Sequence, residues 1–394
     1  MKILHIIETL GRGGAENLLV NLLPVLQSRG HQCEVAVLMP PYDIAANLEE
    51  AGVVVHRLNL SHRWNAAQAI TKIATLCRYG QYDILHAHLF FASIYTALSR
   101  LLAPAPRRVV LLHCVDYELY PANTLWKKVR KALHLWLMKN WIDGWQAVSQ
   151  AVARHYESLL GVSAIVTIPN GVPVNTLRPI VDIDRSGILS KYGVSLKDFI
   201  FIMPCRLVEQ KGHRFVFQAL EILREKKLFP KVLIFGDGSL AKQIAEDVNN
   251  KNLQQQVKIH HALPHDELLS VVQSADAFLM ASTHEGFPVA PTEAMALARP
   301  VLATRIGGLM DLVEDGISGL LVPPKDPVAL AEGMAQFMVE PALRERLGKA
   351  GRQRIETYFS VDIVATKWDA YYKNIIKQSA STKRLMQEMK EPIN

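Results

Sequence analysis

From its first residues to beyond position 320, the chain alternates short apolar runs of β type with longer stretches whose apolar residues recur at helical spacing. Few architectures admit that alternation. A strand followed by a helix and a second strand of the same sheet gives parallel pairing, with helices covering both faces. The strand-like runs of the first half are KILHII, CEVAVLM, VVVHRLNL, DILHAHL, RVVLLHC, GWQAVS and AIVTIPN. After a polar stretch near 175–197 the series restarts with DFIFIMPCR, KVLIFGDG, VKIHHA, AFLMAS, PVLATR and GLLVPP. The pattern predicts an α/β protein of two doubly wound parallel-sheet domains, residues 1–175 and 196–360, joined by one linker. At 394 residues the chain exceeds one ordinary core, which agrees with two. The last residues, STKRLMQEMKEPIN, are polar and expected to fray.

Composition removes several classes. Hydrophobic residues make up 49% and charged residues 21%, which is globular and not disordered. The mean hydropathy of +0.10 is high, yet no stretch approaches the ~20 apolar residues that span a bilayer. The opening MKILHIIETLGRGG runs into a glycine loop without a small-residue cleavage site, so it does not read as a secretory signal. Cys33, Cys77, Cys114 and Cys205 lack metal spacing and lie in apolar stretches, which predicts buried free thiols in a reducing cytoplasm. Of the net charge of +7, +6 falls in residues 1–178, which points that half toward an anionic partner, nucleic acid or an anionic membrane surface.

In open parallel sheets ligands bind beyond the carboxyl ends of the strands, so residues just after strands carry the most information. HEGFPVAPTEAMA, residues 284–296, follows the strand AFLMAS and enters a helix. It predicts Glu285 on a loop above the sheet and Glu293 in the first turn of the helix, where a carboxylate suits the dipole. Gly286 allows close backbone approach, and free N–H groups at the helix start form an anion site. One segment thus offers acceptors for hydroxyls and donors for phosphate. PCRLVEQKGHRF, residues 204–215, places Arg206 and Lys211 after the first strand of the second half, where they could compensate a departing diphosphate.

GRGGAE, residues 11–16, departs from G-x-G-x-x-G and carries no dinucleotide fingerprint; Gly11, Gly13 and Gly14 fit a tight turn. His113, and the pair His86 and His88, sit at strand ends, but nothing in the sequence supplies the third ligand that a metal site would need. Asp182 and Asp184 fall in the linker with no strand feeding them and read as solvated. In the stretch between Glu118 and Asp143 every charge is basic: Lys127, Lys128, Arg130, Lys131 and Lys139. With Trp126, Leu133, Leu137 and Trp141 at helical spacing, it fits either a membrane-surface helix or a helix with one core face.

Together GRGGAE, His113, IPNGV at 168–172, CRLVEQKG at 205–212 and EGFPVAPTEAMA resemble the retaining glycosyltransferases of family 4, which have the GT-B fold. The resemblance covers nearly the whole chain. It implies two Rossmann-like domains facing a cleft, with residues 361–378 crossing back to the first. It implies that Glu293 binds the ribose hydroxyls and Glu285 the donor sugar, with Gly286, Phe287, Pro288 and Val289 touching sugar and diphosphate. Arg206 and Lys211 would neutralise the diphosphate, and Gly13 and Gly14 would close over it. His113 would face the donor sugar, and the segment from His261 to Leu263 would support the base. The family uses no metal at its catalytic centre and no other cofactor. Cys205 stands where the family usually has glycine. The implied partners are a nucleotide-sugar donor, UDP-linked before GDP-mannose, and a glycan or lipid-linked acceptor at an anionic membrane surface, without nucleic acid. Rival readings are a sugar-nucleotide epimerase of the same fold, a silent carbohydrate- or membrane-binding module, and a glycoside hydrolase using both glutamates. The last requires carboxylates ~5 Å apart across the scissile bond.

Overall fold

The computed structural model describes residues 1–11, 13–115, 123–163, 165–180 and 182–388. Arg12 of the glycine loop, Glu118 at the start of the basic stretch and residues 389–394 of the tail lie outside the described residues. The chain divides into two units: Met1–Gly171 with Val361–Asn394, and Val172–Ser360.

The first unit is built on a seven-stranded sheet of order β3-β2-β1-β4-β5-β6-β7, with every pairing parallel. The strands are β1 (Lys2–Ile7), β2 (Gln32–Val37), β3 (Val54–Arg57), β4 (Ile84–His88), β5 (Arg107–Leu112), β6 (Gly144–Ala147) and β7 (Val166–Thr167). β4 is buried throughout and β1 beyond its first residue, as strands covered on both faces should be. The helix Gly14–Ser28 lays Leu18, Leu19, Leu22, Leu23 and Leu26 into the core at three- and four-residue spacing. A final helix, Val361–Glu388, joins the same unit. It continues past the point where the polar tail was expected to fray. Trp368 and Tyr372 of this helix are fully buried, Arg29 donates to the Asp362 carbonyl at 2.7 Å, and His31 meets Asp369 at 3.0 Å.

The second unit carries a six-stranded parallel sheet of order β10-β9-β8-β11-β12-β13. Its strands are β8 (Ile200–Pro204), β9 (Lys231–Phe235), β10 (Val257–His260), β11 (Ala277–Met280), β12 (Val301–Thr304) and β13 (Leu320–Val322). Phe201, Phe217, Leu220, Ile234, Leu279, Leu302 and Phe337 fill its core. Its two ends meet, with the Val172 N–H donating to the Phe359 carbonyl at 2.9 Å. The polar stretch before β8 is not a bare linker. Asp184, exposed as its solvated reading expects, accepts from the Gly187 N–H at 2.9 Å and caps the helix Arg185–Ser190. All four cysteines are free, but only Cys33 and Cys77 are buried. Cys114 and Cys205 are half-buried because each lies just past the end of its strand.

Trp368 has no exposed surface and presses on the imidazoles of the first sheet. Trp368→Ala is therefore expected to cost the first unit about 3–5 kcal/mol, read as an earlier urea midpoint for the unfolding phase that exposes Trp145.

Candidate functional site

Strand order reverses in the second sheet between β8 and β11, where successive connections depart in opposite directions. That reversal leaves a crevice beyond the strand ends. Arg206, Lys211 and the residues from Glu285 to Pro288 lie on the two loops that flank it, Glu293 in the helix that follows the second loop, and His261 to Leu263 beyond β10.

After β8 the chain passes Cys205 and Arg206, forms a short 3-10 turn at Glu209–Lys211 and enters the helix His213–Glu225 through Gly212. Gly212 has φ +69°, and a side chain there would collide with the Ala281 carbonyl after β11, so the two loops touch backbone to backbone. Gln210 reinforces the contact by donating to the His284 carbonyl at 2.6 Å and accepting from the Thr283 N–H at 2.8 Å. On this clamp Lys211 Nζ meets Glu285 Oε1 at 2.6 Å, with side chains only 12% and 9% exposed. Arg206, on the same loop, is exposed and makes no ion pair among the described residues. Cys205 Sγ lies 3.4 Å from His213 Nε2, and burial pushes its thiol up to about 12, so it stays protonated and unreactive.

After β11 the loop carries Glu285, Gly286, Phe287 and Pro288 into the helix Val289–Ala296. That helix starts two residues before the PTEAMALA segment predicted to form it, which puts Glu293 in the second turn instead of the first. Pro288 has no side chain able to accept a hydrogen bond, so the first amides of the helix are uncapped by any side chain. Gly286, Phe287 and Pro288 are buried and Val289 is half-buried; Phe287 stacks on Phe359 with ring centroids 5.5 Å apart. Glu293 Oε1 is 2.8 Å from His265 Nε2 at the start of the helix His265–Ser274. Next to it, His261 Nδ1 bonds Asp237 at 2.6 Å, and Asp237 also accepts from the Ala262 N–H at 3.2 Å. This arrangement holds the segment from exposed His261 to half-buried Leu263 against the loop after β9. Lys211 and Glu285 are thus in direct contact, whereas Arg206, on the first loop, and Glu293, in the helix after the second, form no hydrogen bond with that pair among the described residues.

Three contributors escaped the sequence reading: Gln210, His265, and the pair Gly307–Gly308 after β12. A side chain at either glycine would strike the carbonyls of Glu285 or Gly286, so both glycines buttress the loop. A Gly-Gly between the strand PVLATR and a helix is the signal that could have marked them. No spacing rule links Glu293 to His265, 28 residues away.

In the first unit Gly13 and Gly14 open the helix Gly14–Ser28, and the Glu16 carboxylate folds back where a Gly13 side chain would sit. Burial raises the Glu16 pKa, and Thr9 donates to it at 3.2 Å. His113 follows β5, and its Nε2 lies 3.3 Å from His88 Nδ1. Burial lowers its pKa to about 4, so it is a neutral imidazole at pH 7. The third histidine that the sequence did not supply to His86 and His88 is His5 on β1. The basic stretch forms the helix Leu125–Trp141. Burial along its apolar face changes with position on the axis: Leu137 is buried, while Trp126 and Leu133, three turns and one turn earlier on the same face, are 71% and 54% exposed.

Two family models match. The one described as "Glycosyl transferases group 1" covers residues 184–354, and "Glycosyltransferase Family 4" covers residues 12–176. The chain is 29% identical over 203 residues to the capsular polysaccharide biosynthesis glycosyltransferase CapM of Staphylococcus aureus, a match covering 50% of this chain and 52% of CapM. It therefore spans about half the length of that relative. An uncharacterised glycosyltransferase of Methanocaldococcus jannaschii is 24% identical over 364 residues, covering 88% of this chain and 91% of its own. Among solved structures, Anabaena HepE in complex with UDP-glucose superposes with a TM-score of 0.81 at 21% identity, covering 97% of this chain and all of HepE. That likeness shows the fold.

The hydrogen bond to Glu293 raises the His265 pKa above its usual value. A raised value means the ionic form of the pair persists at low pH and is lost as pH rises through the His265 pKa. An NMR titration of His265 should give a midpoint above 6.5, and Glu293→Gln should bring it down; an unchanged midpoint would show the two side chains to be uncoupled.

Proposed function

Since the chain belongs to the group 1 glycosyltransferases of family 4, we propose that it moves a sugar from a nucleoside diphosphate donor to a glycan or lipid-linked acceptor, with retention at the anomeric carbon. The observation that carries this reading is the Lys211–Glu285 pair beside the uncapped helix start at Val289. A cation, an acceptor for sugar hydroxyls and free amides for phosphate stand together at the switch point of one sheet.

In this reading Glu293 takes the ribose hydroxyls and the segment from His261 to Leu263 supports the base. Gly13, Gly14 and neutral His113 act on the donor from the first unit. As the glycosidic bond breaks, negative charge gathers on the diphosphate. Arg206 and Lys211 supply fixed positive charge toward it, so the centre works without a divalent metal. Retention follows if the acceptor enters on the face the diphosphate leaves, with that diphosphate taking its proton. UDP-sugars are the favoured donors ahead of GDP-mannose, supported by the UDP-glucose held in HepE. Cell-surface polysaccharide, lipopolysaccharide or glycolipid is the acceptor class, supported by the role of CapM in capsular polysaccharide biosynthesis.

The acceptor reading includes peripheral attachment to an anionic membrane from the cytoplasmic side. No helix among the described residues is long and apolar enough to cross a bilayer. The helix Leu125–Trp141 instead exposes Leu125, Trp126, Val129, Leu133 and Trp136 among Lys127, Lys128, Arg130 and Lys131. Trp64 adds a further exposed indole beneath Arg130. Exposed indoles with lysines suit the headgroup boundary of anionic lipid.

Lys211→Ala should reduce transfer by ~10²-fold or more in a screen of nucleotide sugars. It also strands Glu285 in a largely buried position, at about 3 kcal/mol of stability. The double variant Lys211→Met with Glu285→Gln should recover stability without transfer; wild-type rates in either variant would remove Lys211 from the reaction. Tight nucleotide binding with no transfer from any donor would favour the silent module. Separately, vesicles containing anionic lipid should retain the protein at low salt, and Trp126→Ser with Trp136→Ser should release it. Failure of such vesicles to retain the wild-type chain would end the membrane reading.

A further inference from the structure

Three imidazoles stand on one face of the first sheet, where its strand order reverses between β1 and β4. His5 and His86 are register partners across that seam, and His88 lies two residues along on the same face. All three have no exposed surface. Their ring centroids form a near-equilateral triangle of 5.4, 5.4 and 4.8 Å, and one nitrogen from each ring lies within 4.8 Å of one from each of the others.

Their hydrogen bonds sort into an outer and an inner set. Outside, His86 Nδ1 is 2.7 Å from the Tyr372 hydroxyl and His88 Nδ1 is 3.3 Å from His113 Nε2. Inside, His5 Nδ1 and His88 Nε2 are 3.1 Å apart, while His86 Nε2 and His5 Nε2 have no partner. A buried, unpartnered polar nitrogen costs ~1–3 kcal/mol, so His86 Nε2 beside the inner pair calls for a ligand. A proton is a poor one. With no exposed surface on any of the three rings, a charged imidazole would lose its hydration, so the rings stay neutral. An anion finds no positive charge here. Neutral imidazole is the form that binds a transition metal.

We propose that His5, His86 and His88 hold one divalent transition-metal ion of the zinc class. On a tetrahedral zinc with bonds of ~2.0–2.1 Å, two ligand nitrogens stand ~3.3 Å apart. The inner pair, His5 Nδ1 and His88 Nε2, is already at 3.1 Å. Tyr372 and His113 orient two of the ligands through their far nitrogens, as groups behind a metal-binding histidine do. Trp368 covers the three rings, so the ion, with a water in the fourth position, would serve structure: it would tie β1 to β4 and fix the bed on which the helix Val361–Glu388 lies. Glycosyl transfer needs nothing from it, so this proposal stands or falls apart from the proposed function.

The test uses the full chain without a histidine tag, unfolded in chelator and refolded with or without zinc ions. Metal is counted by mass spectrometry after desalting. The expected result is close to one zinc per chain and a melting temperature raised by several degrees. Cobalt in place of zinc should give the visible absorption of a tetrahedral nitrogen site. His5→Gln and His86→Gln, chosen to keep volume and polarity, should each lose the ion. Less than about a tenth of an equivalent retained by the wild-type chain, with an unchanged melting temperature, would overturn the proposal and leave the two nitrogens to a buried water. Full metal content in His86→Gln would also overturn it, by placing the ion elsewhere. The wild-type measurement decides even if a variant fails to fold.

Discussion

The contact of two loop backbones after β8 and β11 sets the chemistry of the second unit. Gly212 lets one loop lie on the Ala281 carbonyl, and Gln210 locks the approach through hydrogen bonds to His284 and Thr283. Only then do Lys211 and Glu285 reach ion-pair distance in a place with little solvent. Held apart on mobile loops, the same charges would be screened and worth little. The glycines after β12 press from the other side, so the loop bearing Glu285 has few positions open to it. A ligand entering here meets groups whose orientation has already been fixed, which is the condition under which charge stabilises a transition state most.

The sheets were legible because burial on both faces writes long apolar strands into the chain. All the runs proposed as strands, from KILHII to GLLVPP, form strands, trimmed at their ends where the last residues leave the ladder. Trimming was largest at AIVTIPN, whose Ala164 lies outside the described residues and whose strand β7 is Val166–Thr167, an edge strand with one neighbour. The helix after β11 was placed late because Pro291 reads as a helix start, whereas it sits inside the first turn of a helix that begins at Val289. The basic stretch left two readings open, because periodicity marks which residues share a face but not how far along the helix that face meets protein; Trp126 and Leu137 share a face, yet only Leu137 is covered.

Pairings across distant sequence were the illegible part. Lys211 with Glu285 could be guessed from neighbouring strand ends, but His265 with Glu293 depends on how the helix His265–Ser274 is set beside the crevice. His5 with His86 depends on register alone. Their strands lie about eighty residues apart in the chain, and a slip of one residue would turn one imidazole to the opposite face. Cys205 illustrates the converse. An unusual residue at a sensitive position turned out to be a thiol kept inert by burial against His213.

The return of Val361–Glu388 to the first unit has a consequence for biosynthesis. A chain emerging from the ribosome completes residues 172–360 before the segment that seals the earlier sheet exists. The first unit must therefore wait, with His5, His86 and the neighbouring apolar strands uncovered, while its successor finishes folding. An interruption of translation after Ser360 but before Trp368 would release a polypeptide with one mature half and one half still open to aggregation.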